Sequence, residues 1–353
     1  MMLHLSERER TRYMQHLQLA SMGLSGQLKL KNAKVLCIGA GGLASPLLLY
    51  LAAAGVGTIG IVDHDQVALS NLQRQILYTE NDIGKQKTDI AKKTLLALNP
   101  HITVNLYPYY LDHTYAEELI AQYDIVADCS DNYETRYLVN DSCFTLKKPF
   151  VYASIYEYAG QCATFHTING PCFRCLFREA PVHALPNCRE TGVLSVLPGL
   201  LGTIQATEVL KFILAHGDLL IGRLLSVDIL KMQFKTLNFS KDSTCPLCSS
   251  HQKKIDNLTI SVQALQTATA MGNEIVLLDV RTLPERTEFN IGGLWIPIDE
   301  LPKRLQELDP TQNIVVYCRS GTRSQYAVAL LKKEHFKQVR SLVGGMKAWQ
   351  TCG

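Results

Sequence analysis

Cys318 closes an apolar run, Asn313-Ile314-Val315-Val316-Tyr317, and is followed by Arg319-Ser320-Gly321-Thr322-Arg323-Ser324. A cysteine at the mouth of a strand, just ahead of a helix, faces backbone N–H groups and the positive helix end. Arg319 and Arg323 add full charges, and Gly321 allows the turn to close. All of these favour a thiolate or a persulfide, so the loop reads as a sulfur-carrying site. Four residues separate Cys318 from Arg323. That is one fewer than cysteine phosphatases use, and the shorter loop suits a sulfur atom better than a phosphate.

Four other cysteines form two C-x-x-C pairs, Cys172/Cys175 and Cys245/Cys248. Each pair puts two thiolates on one turn, and two turns complete a tetrahedral site for a structural Zn²⁺. A redox dithiol or buried free thiols are the alternatives. Cys188 stands in a polar stretch, Pro186-Asn187-Cys188-Arg189-Glu190, where Arg189 favours a thiolate. Cys37, Cys129, Cys143 and Cys162 sit in apolar segments and are expected in the core.

A third group of residues suits phosphate. Gly39-Ala40-Gly41-Gly42-Leu43-Ala44 fits G-x-G-x-x-G/A, and Asp63 follows Ala44 by 19 positions. The glycines let backbone N–H groups approach phosphate, and Asp63 can bond a ribose hydroxyl. This motif alone does not separate NAD from ATP. Arg74, Lys87 and Asp131 favour ATP. Attack of a carboxylate on an α-phosphate builds negative charge that Arg74 and Lys87 can offset, while Asp131 can hold the Mg²⁺ of the leaving pyrophosphate.

These groups need elements to position them. Residues 34–38, 58–63 and 124–129 read as strands, and 84–98 and 202–214 as helices. The whole is an α/β fold: a Rossmann-like domain with a mainly parallel sheet over 1–250, a linker at 251–257, and a smaller α/β domain over 258–353. The stretch Val35–Val62 lacks any charged residue. Its glycines and Pro46 mark strand, turn, helix, turn and strand, so no membrane span is expected.

Composition narrows the function. Hydrophobic residues are 47%, charged residues 19% and the net charge is +3, with no basic stripe for nucleic acid. An odd total of 11 cysteines argues against a secreted disulfide framework. The opening MMLHLSERERTRYMQH is too charged for a signal peptide, so a reducing cytoplasm is expected.

Taken together, GAGGLAS, LSNLQRQ, GKQK and DCSDN resemble the ThiF/MoeB branch of the ubiquitin-activating-enzyme superfamily, over about Arg12 to Cys248. Members adenylate the C-terminal glycine of a small ubiquitin-like sulfur carrier ending in Gly-Gly. The resemblance implies that Gly42, Asp63, Ser70, Asn71, Arg74, Lys87, Asp131 and Asn132 line an ATP site. It also implies the Cys₄ zinc site, a homodimer, and a covalent link between Cys188 and the carrier. Where the family has R-Y-x-R-Q, this chain has Arg12-Tyr13-Met14-Gln15-His16. Gln15 replaces an arginine that reaches the partner subunit's ATP. Either Arg8, Arg10 or Arg12 compensates, or adenylation is weakened.

Residues 258–353 resemble rhodanese through LLDVR, the Cys318 loop and Gly344-Gly345-Met346-Lys347-Ala348-Trp349, though Phe289-Asn290-Ile291 lacks the usual histidine. The two resemblances imply adenylation followed by persulfide transfer. The product is a thiocarboxylate for molybdenum cofactor, thiamine or tRNA thiolation, with a donor such as a cysteine desulfurase. A carrier-binding scaffold of little or no activity and an NAD-linked oxidoreductase are the alternatives.

Overall fold

The computed structural model describes residues 4–166, 170–179, 192–249, 258–272 and 274–352. The expected linker at 251–257 lies outside them. The chain divides into two compact units, Met1–Cys248 and Ser249–Gly353.

The first unit is built on eight strands: β1 Lys34–Ile38, β2 Thr58–Val62, β3 Thr103–Tyr107, β4 Ile125–Asp128, β5 Phe150–Tyr156, β6 Ala159–Phe165, β7 Arg223–Asp228 and β8 Gln233–Asn238. Their order is β3-β2-β1-β4-β5-β6-β7-β8. The ladders joining β1 to β5 are parallel, and those from β5 to β8 are antiparallel. Alternate residues of β1 enter different cores. Val35 and Cys37 join Ile59, Ile61 and Ala127 in one cluster, while Leu36 and Ile38 join Val62 and Val126 in another. Both faces are therefore covered. This is why Val35–Val62 is apolar throughout: it is a buried strand, the helix Ala44–Ala54 and a second buried strand.

The helix expected at 202–214 begins at Val196. Its early residues include Pro198 and Gly199, which read as breakers in sequence. Proline in a first turn loses no helical bond, because those N–H groups lack intrahelical partners anyway. Gly202 serves a different need. A Cβ there would lie 2.2 Å from the Leu43 carbonyl oxygen, so only glycine lets this helix approach the start of Ala44–Ala54. By length and composition the helix could cross a bilayer, yet it packs against Ala44–Ala54 and β5.

The second unit has β9 Thr259–Ile260, β10 Val276–Asp279, β11 Leu294–Trp295, β12 Asn313–Tyr317 and β13 Gln338–Leu342. The order is β11-β10-β12-β13-β9, parallel throughout. In β12, Ile314 and Val316 face one core and Val315 and Tyr317 the other.

Candidate functional site

In the first sheet the strand order reverses between β1 and β4. Ligands of open α/β sheets bind at the carboxyl ends of strands beside such a switch point. The glycine turn leaves β1 there. Gly39 has φ +91°, and a Cβ on it would meet the Cys129 carbonyl oxygen at 3.0 Å. The turn is tied down on several sides. The Gly39 N–H donates to the Val62 carbonyl at 2.7 Å. Asp63 accepts from the Ala40 N–H at 2.6 Å and, through its other oxygen, from the Asp65 N–H at 2.8 Å. The buried Tyr78 hydroxyl donates to the Ala40 carbonyl at 2.6 Å. Asp63 thus shapes the loop as well as offering further lone pairs to a ribose.

The charged groups stand on separate loops. Lys87 opens the helix Lys87–Leu98, and its Nζ donates to Asp65 at 2.9 Å. The lysine is only 3% exposed, so Asp65 keeps a nearly buried cation ready beside the glycine turn. Arg74 follows the turn Leu69–Asn71. The aliphatic part of its side chain comes within 3.6 Å of where a Gly42 Cβ would stand, and its guanidinium donates to the Ser70 carbonyl at 3.1 Å. Asn71 closes that turn by accepting from the Ala68 N–H at 3.1 Å. Asn132 caps the helix Tyr133–Leu146 through the Thr135 N–H at 2.8 Å, and Asp131 stands exposed just before it.

Asp65 and Gln75 carry no sign of a role in sequence. Gln75 is buried beside Gly41, and its Oε1 has no hydrogen-bond partner. Asp128 is wholly buried at the end of β4. Burial pushes its carboxyl above the ordinary range, against the pull of Arg136 and Ser130. No local pattern marks these residues, since their roles arise from contacts between separate segments. Arg12 donates to the Leu98 carbonyl at 3.0 Å, while Arg8, Arg10 and Gln15 are exposed.

The two C-x-x-C pairs meet although 73 positions separate them. The Cys172 and Cys175 sulfurs are 3.8 Å apart, Cys172 and Cys245 3.6 Å, and Cys175 and Cys248 3.2 Å. A Zn–S length of about 2.3 Å gives a tetrahedron with sulfur edges of about 3.8 Å. All four sulfurs lie within 4.8 Å of one another, so donor type, number and spacing fit one Zn²⁺. Burial and the neighbouring thiols push the Cys248 thiol up to about 12, and a bound cation would favour its thiolate. Cys37, Cys129, Cys143 and Cys162 lie in the core, and Cys188 lies outside the described residues.

In the second unit Cys318 is buried at the end of β12. Its sulfur accepts from the Gly321 N–H at 3.2 Å and the Ser324 N–H at 3.4 Å. Gly321 caps the helix Thr322–Lys333, so the sulfur sits at a helix N-terminus. One expectation is corrected here. Arg323 does not offer a free charge to the sulfur: its guanidinium makes two bonds to Glu285, at 2.7 and 2.6 Å. Burial opposes ionisation of Glu285, yet Arg323 holds its carboxyl down to about 2. The pair is nearly neutral seen from outside, and the sulfur's direct partners include the two backbone N–H groups and the Ser324 hydroxyl at 3.5 Å. The LLDVR stretch braces the floor. Asp279 is wholly buried and pairs with Arg281 at 3.0 Å and Arg286 at 3.2 Å.

Comparison with known proteins agrees with both units. The ThiF family model matches residues 13–247, and the rhodanese-like domain model matches 261–352. A probable molybdopterin-synthase adenylyltransferase of Porphyra purpurea is 39% identical over 97% of this chain and 93% of its own. The probable adenylyltransferase/sulfurtransferase MoeZ of Mycobacterium tuberculosis is 38% identical over 98% of this chain and 94% of its own. The crystal structure of E. coli MccB with MccA-N7isoASN shares the fold, with a TM-score of 0.62 and 23% identity over 70% of this chain and 76% of that one. With one model spanning most of the chain and relatives aligned along nearly all of it, this protein belongs to the ThiF family, extended by a rhodanese-like domain.

Proposed function

We propose that this protein adenylates the C-terminal glycine of a small ubiquitin-like sulfur carrier with ATP, then transfers a persulfide sulfur to make a thiocarboxylate. Relatives aligned along nearly the whole chain carry adenylyltransferase and sulfurtransferase activity in their names, and ATP is the nucleotide such activity uses. The observation that carries the reading is that Asp63 bonds the glycine turn, Arg74 lies against Gly42, and Lys87 is held by Asp65, which itself bonds Asp63. An oxidoreductase needs the turn and Asp63 but has no task for the other charges.

The first step forms a bond between a carboxylate oxygen of the carrier and the α-phosphorus, and breaks the bond to pyrophosphate. Gly41 and Gly42 bring backbone N–H groups to the phosphates, while Gly39, whose own N–H is engaged with the Val62 carbonyl, shapes the turn. Arg74 and Lys87 offset the charge that develops. Ser70, Asn71 and Asn132 complete the lining as the family resemblance implies. Asp131 would hold Mg²⁺, which supplies charge to the leaving pyrophosphate when bound. The terminal sulfur of a Cys318 persulfide then attacks the acyl carbon, and AMP leaves. Release of the thiocarboxylate requires a second thiol to take up the Cys318 sulfur as a disulfide. A small-molecule or protein thiol supplied as co-reactant takes that part, and Cys188, in a polar segment beside Arg189, would form the covalent link to the carrier that the family resemblance implies.

The four clustered cysteines would hold one structural Zn²⁺. A homodimer in a reducing cytoplasm completes the reading, with a cysteine desulfurase or similar persulfide donor charging Cys318. Incubation with ATP, a carrier ending in Gly-Gly and labelled sulfur, followed by the mass of the carrier C-terminus, tests the whole scheme. A carrier that gains neither adenylate nor sulfur, with no ATP–pyrophosphate exchange, overturns it in favour of a binding scaffold.

A further inference from the structure

The loop that presents Asp131 is braced on both sides of it. Before it, the Cys129 N–H donates to the Ile38 carbonyl at 2.9 Å, which extends the pairing of β4 with β1. Ser130 is then gripped three times. Its N–H and Oγ–H both donate to one oxygen of Asp128, at 3.0 and 2.6 Å. Its carbonyl accepts from the Arg136 guanidinium at 3.0 Å. After it, Asn132 caps the next helix. Asp131 stands between these anchors with its side chain exposed.

The grip on Ser130 is expensive. Asp128 is 0% exposed and Arg136 only 8%, and each keeps a buried atom without a hydrogen-bond partner, Oδ2 of Asp128 and Nε of Arg136. Arg136 also lies over the rings of Tyr133 and Tyr152, at 5.4 and 5.3 Å from their centroids. Burying two charged side chains to hold one serine costs more than an ordinary turn requires. A turn into a helix is already satisfied by the Asn132 cap. The surplus rigidity falls on the residue that follows Ser130.

We infer that Asp128, Ser130 and Arg136 form a clamp that fixes where Asp131 offers its carboxylate, and so sets the affinity of the site for the divalent cation that accompanies the nucleotide. The inference rests on the adenylation reading above. All three are positioning residues. Mg²⁺ demands near-ideal octahedral geometry, and a carboxylate free to wander by an ångström loses most of its value as a ligand.

The test uses the full chain and compares wild type, Ser130→Ala and Ser130→Thr. Asp128→Asn leaves the Arg136 charge uncompensated and endangers folding, so Ser130 carries the experiment. Mn²⁺ serves as the probe, its binding in the presence of α,β-methylene-ATP read by electron paramagnetic resonance. ATP–pyrophosphate exchange is titrated with Mg²⁺ in parallel. Loss of a hydrogen bond to a charged group predicts that Ser130→Ala weakens Mn²⁺ binding and raises the Mg²⁺ midpoint about tenfold, with a smaller loss at saturating Mg²⁺. Ser130→Thr, which keeps the hydroxyl, restores both values. Unchanged Mn²⁺ affinity and Mg²⁺ midpoint in Ser130→Ala overturn the clamp, even if its melting temperature falls. So does a Ser130→Thr variant no better than alanine. Absence of exchange in the wild type instead removes the adenylation reading on which the clamp stands.

Discussion

The two units each place their chemistry on a turn from a parallel strand into a helix, and they equip that turn in opposite ways. The turn after β1 has no reactive side chain of its own. Its glycines clear a space, and in the proposed site charge comes from Lys87, Arg74 and Asp131 on other segments. The turn after β12 carries the proposed reacting atom itself, the Cys318 sulfur, which accepts from the N–H groups of Gly321 and Ser324 of the same loop. Even Arg323, in that same loop, is spent on Glu285. A triphosphate spreads several charges over a wide volume, so its site must draw on many loops. A single sulfur atom fits within one turn, and a few aligned N–H dipoles serve it.

The sharpest way to break this contrast is Cys318→Ala. It should reduce sulfur transfer from thiosulfate to background while ATP–pyrophosphate exchange stays at the wild-type rate. A carrier that still gains labelled sulfur at the normal rate, read by mass, would strip the second turn of its role. Next in size, Arg74→Ala or Asp131→Ala should slow exchange by about a hundredfold, the scale of one lost electrostatic stabiliser, with thiosulfate sulfurtransfer untouched. Normal exchange in both variants would mean that the distant charges are not part of the first site.

The cysteine cluster extends the comparison to a place where two distant segments meet, in our proposal for structure alone. Metal analysis should find about one zinc per chain. Cys248→Ser should lower the melting temperature of the first unit by about 10 °C, as loss of a closed metal site does in a domain of this size. Metal-free protein with an unchanged melting temperature would exclude a structural zinc.

The smallest effect concerns Glu285. Its carboxyl titrates near 2 in the folded chain, below the ordinary range. The stabilisation it brings is complete above the unfolded value and is lost as pH falls through that interval toward 2. Glu285→Gln should therefore flatten the acid limb of the stability curve of the second unit by about 1 kcal/mol, after allowance for solvent screening. An identical acid limb in the variant would show that Arg323 is not committed to Glu285 and is free to face the sulfur.

Much of this molecule is legible in local pattern. The glycine turn after an apolar strand, the acid after the next strand, the paired cysteines and the Cys318 loop each need only neighbours in sequence to be recognised. Such features announce themselves because turns, strand ends and knuckles are built by residues a few positions apart. The start of the helix Val196–Leu214 was less legible. Pro198 and Gly199 look like a loop until the first-turn position and the close approach of Gly202 to Leu43 are known.

What tertiary structure alone decided is which charges are free and which are already paired. Arg74, Lys87, Arg323 and Arg136 look alike in sequence, as cations near a site. In the fold, Lys87 is held by Asp65, Arg323 is neutralised by Glu285, and Arg136 grips the carbonyl of Ser130. The intervals that separate these partners range from a few residues to several tens, and no periodicity predicts them. Coulomb energy and hydrogen-bond geometry act on distance in space, so the function of a charged residue is settled only when the chain has brought its partners to it.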